Sequence, residues 1–216
     1  MLLPKKVPIF PLKGVILFPN CFLPLNIFEK RYILMIEDIL RTGERMLGVI
    51  QPKVITSQKT NKLSIQDVGC LARLIKFEEL DDVRFLITLR GVSRFKALPL
   101  EEHKNGYKIS NINLDSFKND VDLNHKINGF KYQNDKKLKI VLTNYFKKQN
   151  INADFDYINK CENKDLVDQI SMICPFEPEE KQMLLESKCI ENRYILLISI
   201  LDDNLNLVNK TNFIIH

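Results

Sequence analysis

The residues that could perform acid–base chemistry are concentrated in one short segment. Glu78, Glu79, Asp81 and Asp82 lie almost side by side. A general acid–base pair requires one carboxyl in an apolar pocket, where desolvation raises its pKa. This segment instead joins two strand-like runs, and the turn of a hairpin keeps its side chains in water. We therefore interpret the acids as a solvated turn and not as a catalytic pair.

The chain contains three histidines, His103, His125 and His216, which lie far apart in the sequence. Two of them occupy polar, loop-like stretches and the third ends the sequence, so no metal site can be assembled locally. The phosphate-binding pattern G-x-x-x-x-G-K-[ST] and the nucleophile pattern G-x-S-x-G are both missing. A triad built from distant residues would leave no such pattern and stays open. Otherwise the sequence predicts no enzyme, no metal and no cofactor.

Three arginines, Arg73, Arg90 and Arg94, alternate with apolar residues in strand-like segments. On one sheet they could line a groove that binds an anionic ligand or a peptide. They could equally be edge charges that prevent strands of different molecules from pairing. The sequence alone leaves these two interpretations equal.

The opening stretch, Val7–Tyr32, has the strongest functional signal. It combines short apolar runs with four of the nine prolines, a pattern that excludes a long helix and suits short, interrupted strands. Exposed apolar side chains beside unpaired strand edges would capture an extended polypeptide by strand addition and side-chain pockets. The aromatic candidates are Phe18, Phe22, Phe28 and Tyr32. The alternative is that all four belong to the hydrophobic core.

The first half of the chain is predicted to contain one helix among several strands. Asn26 can cap a helix that continues at helical spacing to a stop at Gly43. Both faces of the run after residue 67 are largely apolar, which favours a closed or doubly covered sheet, and hence a small β-barrel. A glycine within a strand often marks a bulge or sharp bend, as expected at Gly91. The predicted strands are Met46–Ile50, Val68–Phe77, Arg84–Leu89, Val92–Leu98 and Tyr107–Leu114.

The second half is predicted to be helical. Residues 115–131 have few large apolar groups, which places a domain boundary or linker there. Beyond it, apolar residues recur at helical spacing and predict a small helical bundle, so the fold class is α+β. The predicted apolar stripes are Leu138, Val141, Leu142, Tyr145 and Phe146; Leu166, Val167, Ile170 and Ile173; Met183, Leu184 and Leu185; and Ile190, Tyr194, Leu197, Ile198 and Leu201.

The motifs of the first half resemble the substrate-binding domain of Lon, the ATP-dependent protease La. The resemblance is carried by Pro8–Leu12, Gly14, Leu17–Pro19, Leu23–Leu25, Ile27–Tyr32, Val68–Glu79 and Leu89–Phe95. It implies a PUA-like β-barrel with one inserted helix over residues 1–117 and a C-terminal helical bundle over residues 118–216. Glu29 and Arg31 match the family motif. At two positions apart on a helix they should not pair with each other but contact the barrel.

The resemblance also implies a binding module without a catalytic centre. Because the phosphate-binding pattern is missing and nothing resembles the Ser–Lys peptidase of Lon, we expect neither the ATPase nor the peptidase domain. The implied partner is an unfolded polypeptide or a specific protein. The candidate binding residues are Phe18, Phe22, Phe28, Arg31, Tyr32, Arg73, Arg90 and Arg94.

Charge leaves one main alternative. The net charge is +5, and residues 1–117 carry 18 Lys and Arg against 12 Asp and Glu. Because PUA-like folds also occur in RNA-modifying proteins, an RNA-binding module is the alternative hypothesis. The chain has no Trp and no dense interleaving of aromatic and basic residues, which favours polypeptide over nucleic acid. A small-molecule pocket or an enzyme is a third hypothesis that no motif supports.

The apolar runs are too short for a signal peptide or membrane span, which predicts a cytoplasmic protein without membrane contact.

Overall fold

The computed structural model describes residues 3–53, 63–80, 84–121 and 130–211. These ranges contain both strands and helices, so the α+β class is confirmed. The tip of the acidic turn, His125 and His216 lie outside the described residues. The strands are β1 (Lys6–Pro11), β2 (Phe22–Ile27), β3 (Met46–Ile50), β4 (Val68–Glu79), β5 (Phe85–Glu102) and β6 (Lys108–Asn113). The helices are α1 (Lys30–Thr42), α2 (Lys137–Lys148), α3 (Phe155–Lys160), α4 (Asn163–Ile173), α5 (Pro178–Glu186) and α6 (Ile190–Thr211), with a 3₁₀ helix over Asp115–Asp120.

The strands form one mixed six-stranded sheet in the order β2-β5-β4-β3-β1-β6, and β5 also pairs with β6. β1 and β3 pair in parallel, whereas the other pairs are antiparallel. The predicted hairpin is confirmed by β4 and β5. Alternate residues of five strands point to a shared apolar core that stabilises the sheet. Its buried members are Val7, Ile9, Met46, Ile50, Leu71, Phe95 and Ile112.

β5 is one continuous strand, although the sequence predicted two strands that were separated at Gly91. The ladder explains the difference, because Ser93 pairs with Leu71 while Gly91 pairs with Ala72. Val92 is therefore an extra residue in β5, which forms a bulge without ending the strand. The predicted bulge is confirmed, and it exchanges which alternate residues of β5 point to each face.

Helix α1 begins later than predicted. Asn26 does not cap it, because Asn26 belongs to β2 and pairs with Leu86 of β5. The N-cap position is held by Glu29, which has extended backbone angles and makes no side-chain cap hydrogen bond. The predicted stop is confirmed, since Gly43 has a φ of 76° and its N–H donates to the carbonyl of Leu40. A glycine adopts this left-handed conformation without steric cost.

The first compact unit, which we call the sheet unit, comprises residues 1–125 and 177–185, and it therefore includes α5 up to Leu185. Buried amides join α5 to the sheet. The side-chain N–H of Gln51 donates to the carbonyl of Pro178 at 2.9 Å and to Gln182 Oε1 at 3.1 Å. Gln182 Nε2 in turn donates to the carbonyl of Val68 at 3.0 Å. Because each buried amide is bonded, the network stabilises the position of α5. The predicted boundary between residues 117 and 118 stays a prediction.

The second compact unit comprises residues 126–176 and 186–216 and contains α2, α3, α4 and α6. The predicted stripes of α2 and α6 are buried and confirmed. The stripe of α4 is wrong at Ile173, which ends the helix and is 70% exposed. In α5, Leu184 and Leu185 are buried but Met183 is 55% exposed, so that stripe is also partly wrong. Three consecutive helical residues differ by about 100° each and cannot share one face.

Candidate functional site

Residues on one face of β2, β5 and β4 form three rows across the sheet, which we call the β2–β5–β4 face. The strand registers place one residue of each strand in every row. Neighbouring strands lie about 4.8 Å apart, so each row extends about 10 Å. The rows are Phe22, Arg90 and Arg73; Pro24, Thr88 and Lys76; and Asn26, Leu86 and Glu78.

This face exposes apolar side chains that a soluble sheet would normally bury or replace. Phe22 is 58% exposed and Leu86 is 39% exposed, and Pro24 between them is exposed as well. The opposite side of the same strands is packed, because Ile27, Phe85, Ile87, Leu89 and Leu74 are buried. The exposed apolar residues are therefore not needed to fill the core, and an exposed apolar cluster marks a binding surface.

A pocket of about 340 Å³ opens on this face. Pro24 and Leu86 contribute apolar groups to its lining, while Lys76 and Glu78 contribute charged groups. Together with the two arginines of the first row, the face carries three cations and one anion. Its electrostatic potential therefore favours ligands that are neutral or acidic over basic ones. The complete pocket lining is Pro24, Leu25, Asn26, Lys76, Glu78, Leu86, Ile87 and Thr88.

Three of the residues selected from the sequence meet in the first row of this face. Phe22 is the Cα partner of Arg90, and Arg90 is the Cα partner of Arg73. Arg90 Nη2 donates to the side-chain oxygen of Asn20 at 2.8 Å. An aromatic ring and two guanidinium groups are thus neighbours on one surface, an arrangement that suits an apolar segment carrying an acidic group.

Phe18 and Tyr32 do not contribute to the exposed surface. Phe18 is fully buried, and its carbonyl lies so close to Gly91 that a Cβ at Gly91 would be 2.0 Å from the oxygen. Tyr32 is 6% exposed, and its ring centroid lies 4.6 Å from that of Phe10. In this conformation neither ring is available to a peptide. The burial of these two residues agrees with the alternative interpretation, in which they belong to the hydrophobic core.

Phe28 and Arg31 lie just beyond β2 at the start of α1. Phe28 is 69% exposed and extends the apolar surface that β2 presents. Arg31 is occupied, because its Nη2 lies 2.8 Å from Glu29 Oε2 and its Cζ lies 4.6 Å from the centroid of the Tyr32 ring. The prediction that Glu29 and Arg31 do not pair is wrong. Glu29 stands outside the helix in extended conformation, so helical spacing does not apply to it.

Arg94 belongs to the interior of the sheet unit. Its guanidinium forms an ion pair with Asp120, and both side chains are nearly inaccessible, at 6% and 11% exposed. Nη1 donates to the carbonyl of Leu185 at 3.1 Å, and Cζ lies 4.5 Å from the centroid of the Phe117 ring. Arg94 thus connects β5, the 3₁₀ helix and α5, and it does not line the exposed face.

Six residues of the β2–β5–β4 face were not selected from the sequence. Their signal was the alternation of exposed and less exposed residues along β2, which the prolines obscured. Predicting these residues from the sequence also requires knowing that β2 pairs with β5. The two strands are far apart in the sequence, and no local pattern reveals their pairing. These residues are Pro24, Asn26, Lys76, Glu78, Leu86 and Thr88.

Within the part of the chain that the structure describes, no group of three or more His, Cys, Asp or Glu side chains is arranged to hold a metal ion. Nor is any described helix both long enough and apolar enough to span a bilayer.

The chain is similar to Lon proteases that are much longer than itself. It is 29% identical to the Lon protease of Anaeromyxobacter dehalogenans (strain 2CP-C) over 98 residues, which are 45% of this chain and 12% of the relative. It is 22% identical to the Lon protease of Buchnera aphidicola subsp. Acyrthosiphon pisum (strain APS) over 211 residues, which are 97% of this chain and 26% of the relative. The chain thus spans about a quarter or less of these relatives.

Two solved structures share the fold along most of the chain. The N-terminal domain of Mycobacterium avium complex Lon protease matches with a TM-score of 0.65 and 15% identity, covering 92% of this chain and 99% of the other. A Lon N-terminal domain protein from Xanthomonas campestris matches with a TM-score of 0.57 and 18% identity, covering 91% and 98%. At this identity the likeness establishes the fold alone. The family model described as the ATP-dependent protease La (LON) substrate-binding domain matches residues 6–203. Because this match spans most of the sequence, the chain belongs to the Lon substrate-binding domain family.

Proposed function

We propose that this chain is a non-catalytic module that binds unfolded polypeptide, or an exposed segment of a partner protein, on the β2–β5–β4 face. The function rests on membership of a family whose name denotes substrate binding. The observation that carries the location is the exposure of Phe22 and Leu86 on a face that also presents Arg90, Arg73 and Lys76. Such a surface offers apolar contact area together with charge selectivity.

Two finer features of the fold and setting belong to the same proposal. We propose that the sheet closes as a PUA-like barrel. The support is the pattern of strand pairing. β5 pairs with β4, and the pairing continues through β3, β1 and β6 back to β5. We also propose a cytoplasmic location, which is supported by membership of the Lon substrate-binding domain family.

The test is a titration of a fluorescently labelled unfolded polypeptide with the purified chain, followed by anisotropy. Leu86→Ser should weaken binding about 5- to 20-fold, because it removes apolar contact area on the middle strand of the face. Leu98→Ser is the matched control. Leu98 lies on the same strand and is 49% exposed, but it lies outside the face. Equal affinities for both variants and the parent chain would contradict this location.

RNA binding is tested in the same experiment with a labelled single-stranded RNA. If the chain bound RNA through its basic residues, the affinity would fall steeply as salt rises, because phosphate contacts release counterions. Peptide binding through apolar contacts should change little over the same range of salt. Binding of RNA with no binding of polypeptide would replace the proposed function by the alternative one.

A further inference from the structure

β2 is the terminal strand of the sheet and has one strand partner, β5, among the residues that the structure describes. The hydrogen-bond phase of this pair follows from one contact. The N–H of Gly91 donates to the carbonyl of Cys21 at 2.9 Å, next to the Cα pair Phe22 and Arg90. In an antiparallel ladder, bonded and non-bonded pairs alternate, so Phe22 and Arg90 form a non-bonded pair. Leu23 and then Leu25 therefore bond to β5.

The backbone groups of Phe22, Pro24 and Asn26 consequently point away from β5, toward the open edge. Phe22 and Asn26 each present an N–H and a carbonyl there, whereas Pro24 presents a carbonyl only. The same three residues carry the exposed side chains of the β2–β5–β4 face, because residues at alternate positions share one face. The open edge and the exposed apolar face thus lie on the same residues.

We propose that an extended segment of the bound polypeptide adds to β2 as a further strand of the sheet. This inference rests on the proposed function and specifies how the polypeptide is held. Its backbone would pair with Phe22 and Asn26, while its alternate side chains would lie beside Phe22, Pro24 and Asn26. The three cations of the face favour a segment that has apolar residues with an acidic one and no basic ones.

Pro24 interrupts the edge at its centre. It removes one of the three donors that an added strand could use, and a proline on an edge strand limits uncontrolled strand pairing. The edge therefore binds an extended segment with a gap of one hydrogen bond. Such a gap weakens binding and permits release, which a module that handles successive polypeptides requires.

The first experiment uses a short labelled peptide of alternating valine and threonine with one glutamate. Two derivatives are N-methylated, one on the valines and the other on the threonines, so that each loses one alternate set of backbone donors. Because only one set faces β2, one derivative should bind about tenfold more weakly or worse and the other should match the parent peptide. Equal effects of the two derivatives would overturn strand addition.

The second experiment changes the edge itself. Asn26→Pro removes an N–H that does not bond to β5, and it should weaken the parent peptide about 2- to 10-fold. Asn26→Ala removes the same side chain but keeps that N–H, so it should weaken the peptide less than Asn26→Pro does. Pro24→Ala supplies the missing donor and should tighten binding about 2- to 10-fold. Unchanged affinity in both Asn26→Pro and Pro24→Ala would overturn the proposal even if one variant folded poorly.

The outcomes separate this inference from the proposed function. If Leu86→Ser weakens the peptide but the two methylated derivatives behave alike, polypeptide binds to the face without adding a strand. If no peptide binds at all, both proposals fail. If sedimentation shows a dimer that Asn26→Pro dissociates, a second copy of the chain occupies the edge, and strand addition by a peptide is overturned.

Discussion

Arg94 and Asp120 form a buried, two-pronged ion pair. Arg94 Nε lies 2.8 Å from Asp120 Oδ2 and Nη2 lies 2.9 Å from Oδ1. The backbone N–H of Arg94 also donates to Oδ2 at 3.0 Å. A guanidinium matched in this way is fixed in position and unavailable to a ligand. The pair holds the 3₁₀ helix against β5, so its role is structural.

Removing one partner of this pair should destabilise the fold strongly. Asp120→Ala leaves the Arg94 charge buried without its carboxylate, and we expect a loss of about 3–5 kcal/mol in the free energy of unfolding, measured by urea denaturation. Asp115→Ala is the control, because the Asp115–Lys118 pair in the same 3₁₀ helix is exposed and should contribute less than about 1 kcal/mol. Similar losses in the two variants would show that the Arg94 pair does not stabilise the fold.

The close approach of Gly91 to the backbone of Phe18 allows a second test of the packing in the sheet unit. A Cβ at Gly91 would lie 2.0 Å from the carbonyl oxygen and 2.7 Å from the carbonyl carbon of Phe18, which are backbone atoms that cannot rotate away. Gly91→Ala should therefore cost about 3 kcal/mol or more, at or above the upper end of the range for overpacking. Gly43→Ala meets no atom within 4 Å and should cost only the strain of its positive φ, about 1–2 kcal/mol. Thermal denaturation of both variants measures these two losses. A loss for Gly91→Ala that is no larger than the loss for Gly43→Ala would contradict the close approach of Gly91 to Phe18.

The arginines show how far the sequence determines the site. Arg73, Arg90 and Arg94 all alternate with apolar residues, and Arg90 and Arg94 are separated by an even number of positions. A regular strand would place those two on one face. The extra residue at Val92 exchanges the faces, so Arg90 is exposed while Arg94 lies on the opposite face, buried against Phe117 of the 3₁₀ helix. Gly91 signalled a bulge, but only the pairing partner decides on which strand the extra residue lies.

The contacts of Gln51 show a second limit. Most strands, most helices and the apolar stripes of α2 and α6 follow from local periodicity, which is why the α+β class was predicted correctly. Gln51 contacts Gln182 across a separation of 131 positions, and neither residue carries a local signal. The association of α5 with the sheet unit depends on such long-range pairing of polar groups, which periodicity does not encode.

The stability of the chain should depend on pH through Asp38. Burial alone would raise the pKa of this carboxyl, but hydrogen bonds from Asn105 and Tyr107 and the charges of Arg41 and His103 lower it. A carboxyl with a lowered pKa contributes stability above its unfolded pKa of about 3.9, and this contribution is lost as pH falls through the folded value. Asp38→Asn should therefore lose less stability than the parent chain between about pH 5 and 2. Identical pH profiles of the urea midpoint would contradict this.

Tyr107 should produce the opposite dependence at alkaline pH. Burial raises the pKa of its hydroxyl, and the hydrogen bond to Asp38 Oδ2 at 3.0 Å raises it further. Because the folded chain holds this proton longer than the unfolded chain, the contribution is complete below about pH 10 and falls as pH rises above it. Tyr107→Phe should lower stability by about 1–2 kcal/mol at pH 7 and remove this alkaline part of the pH dependence. An alkaline profile that matched the parent chain would show that Tyr107 does not cause it.

The charge of the β2–β5–β4 face should select among peptides. Lys76 lies in the second row, beside Thr88, and its reversal in Lys76→Glu changes the face from net positive to nearly neutral. An acidic apolar peptide should then bind about three- to tenfold more weakly at low salt, and a basic peptide of the same apolar content should bind more tightly. Since ions screen exposed charges within about 10 Å at 0.1 M, the difference should shrink as salt is added.

Lys96→Glu is the matched control for this prediction. Lys96 is exposed on β5, where it pairs with Val68 and Asn113 outside the face. Its replacement by Glu changes the net charge of the chain by the same amount as Lys76→Glu does. If the selectivity came from the total charge of the chain, the two variants would weaken the acidic peptide equally. We expect less than about a twofold effect for Lys96→Glu, because Lys96 lies six residues along β5 from Arg90. At about 3.3 Å per residue this separation exceeds the screening length at moderate salt. A local effect confined to Lys76→Glu would therefore place the bound peptide on β2, β5 and β4, whereas equal effects would place it elsewhere.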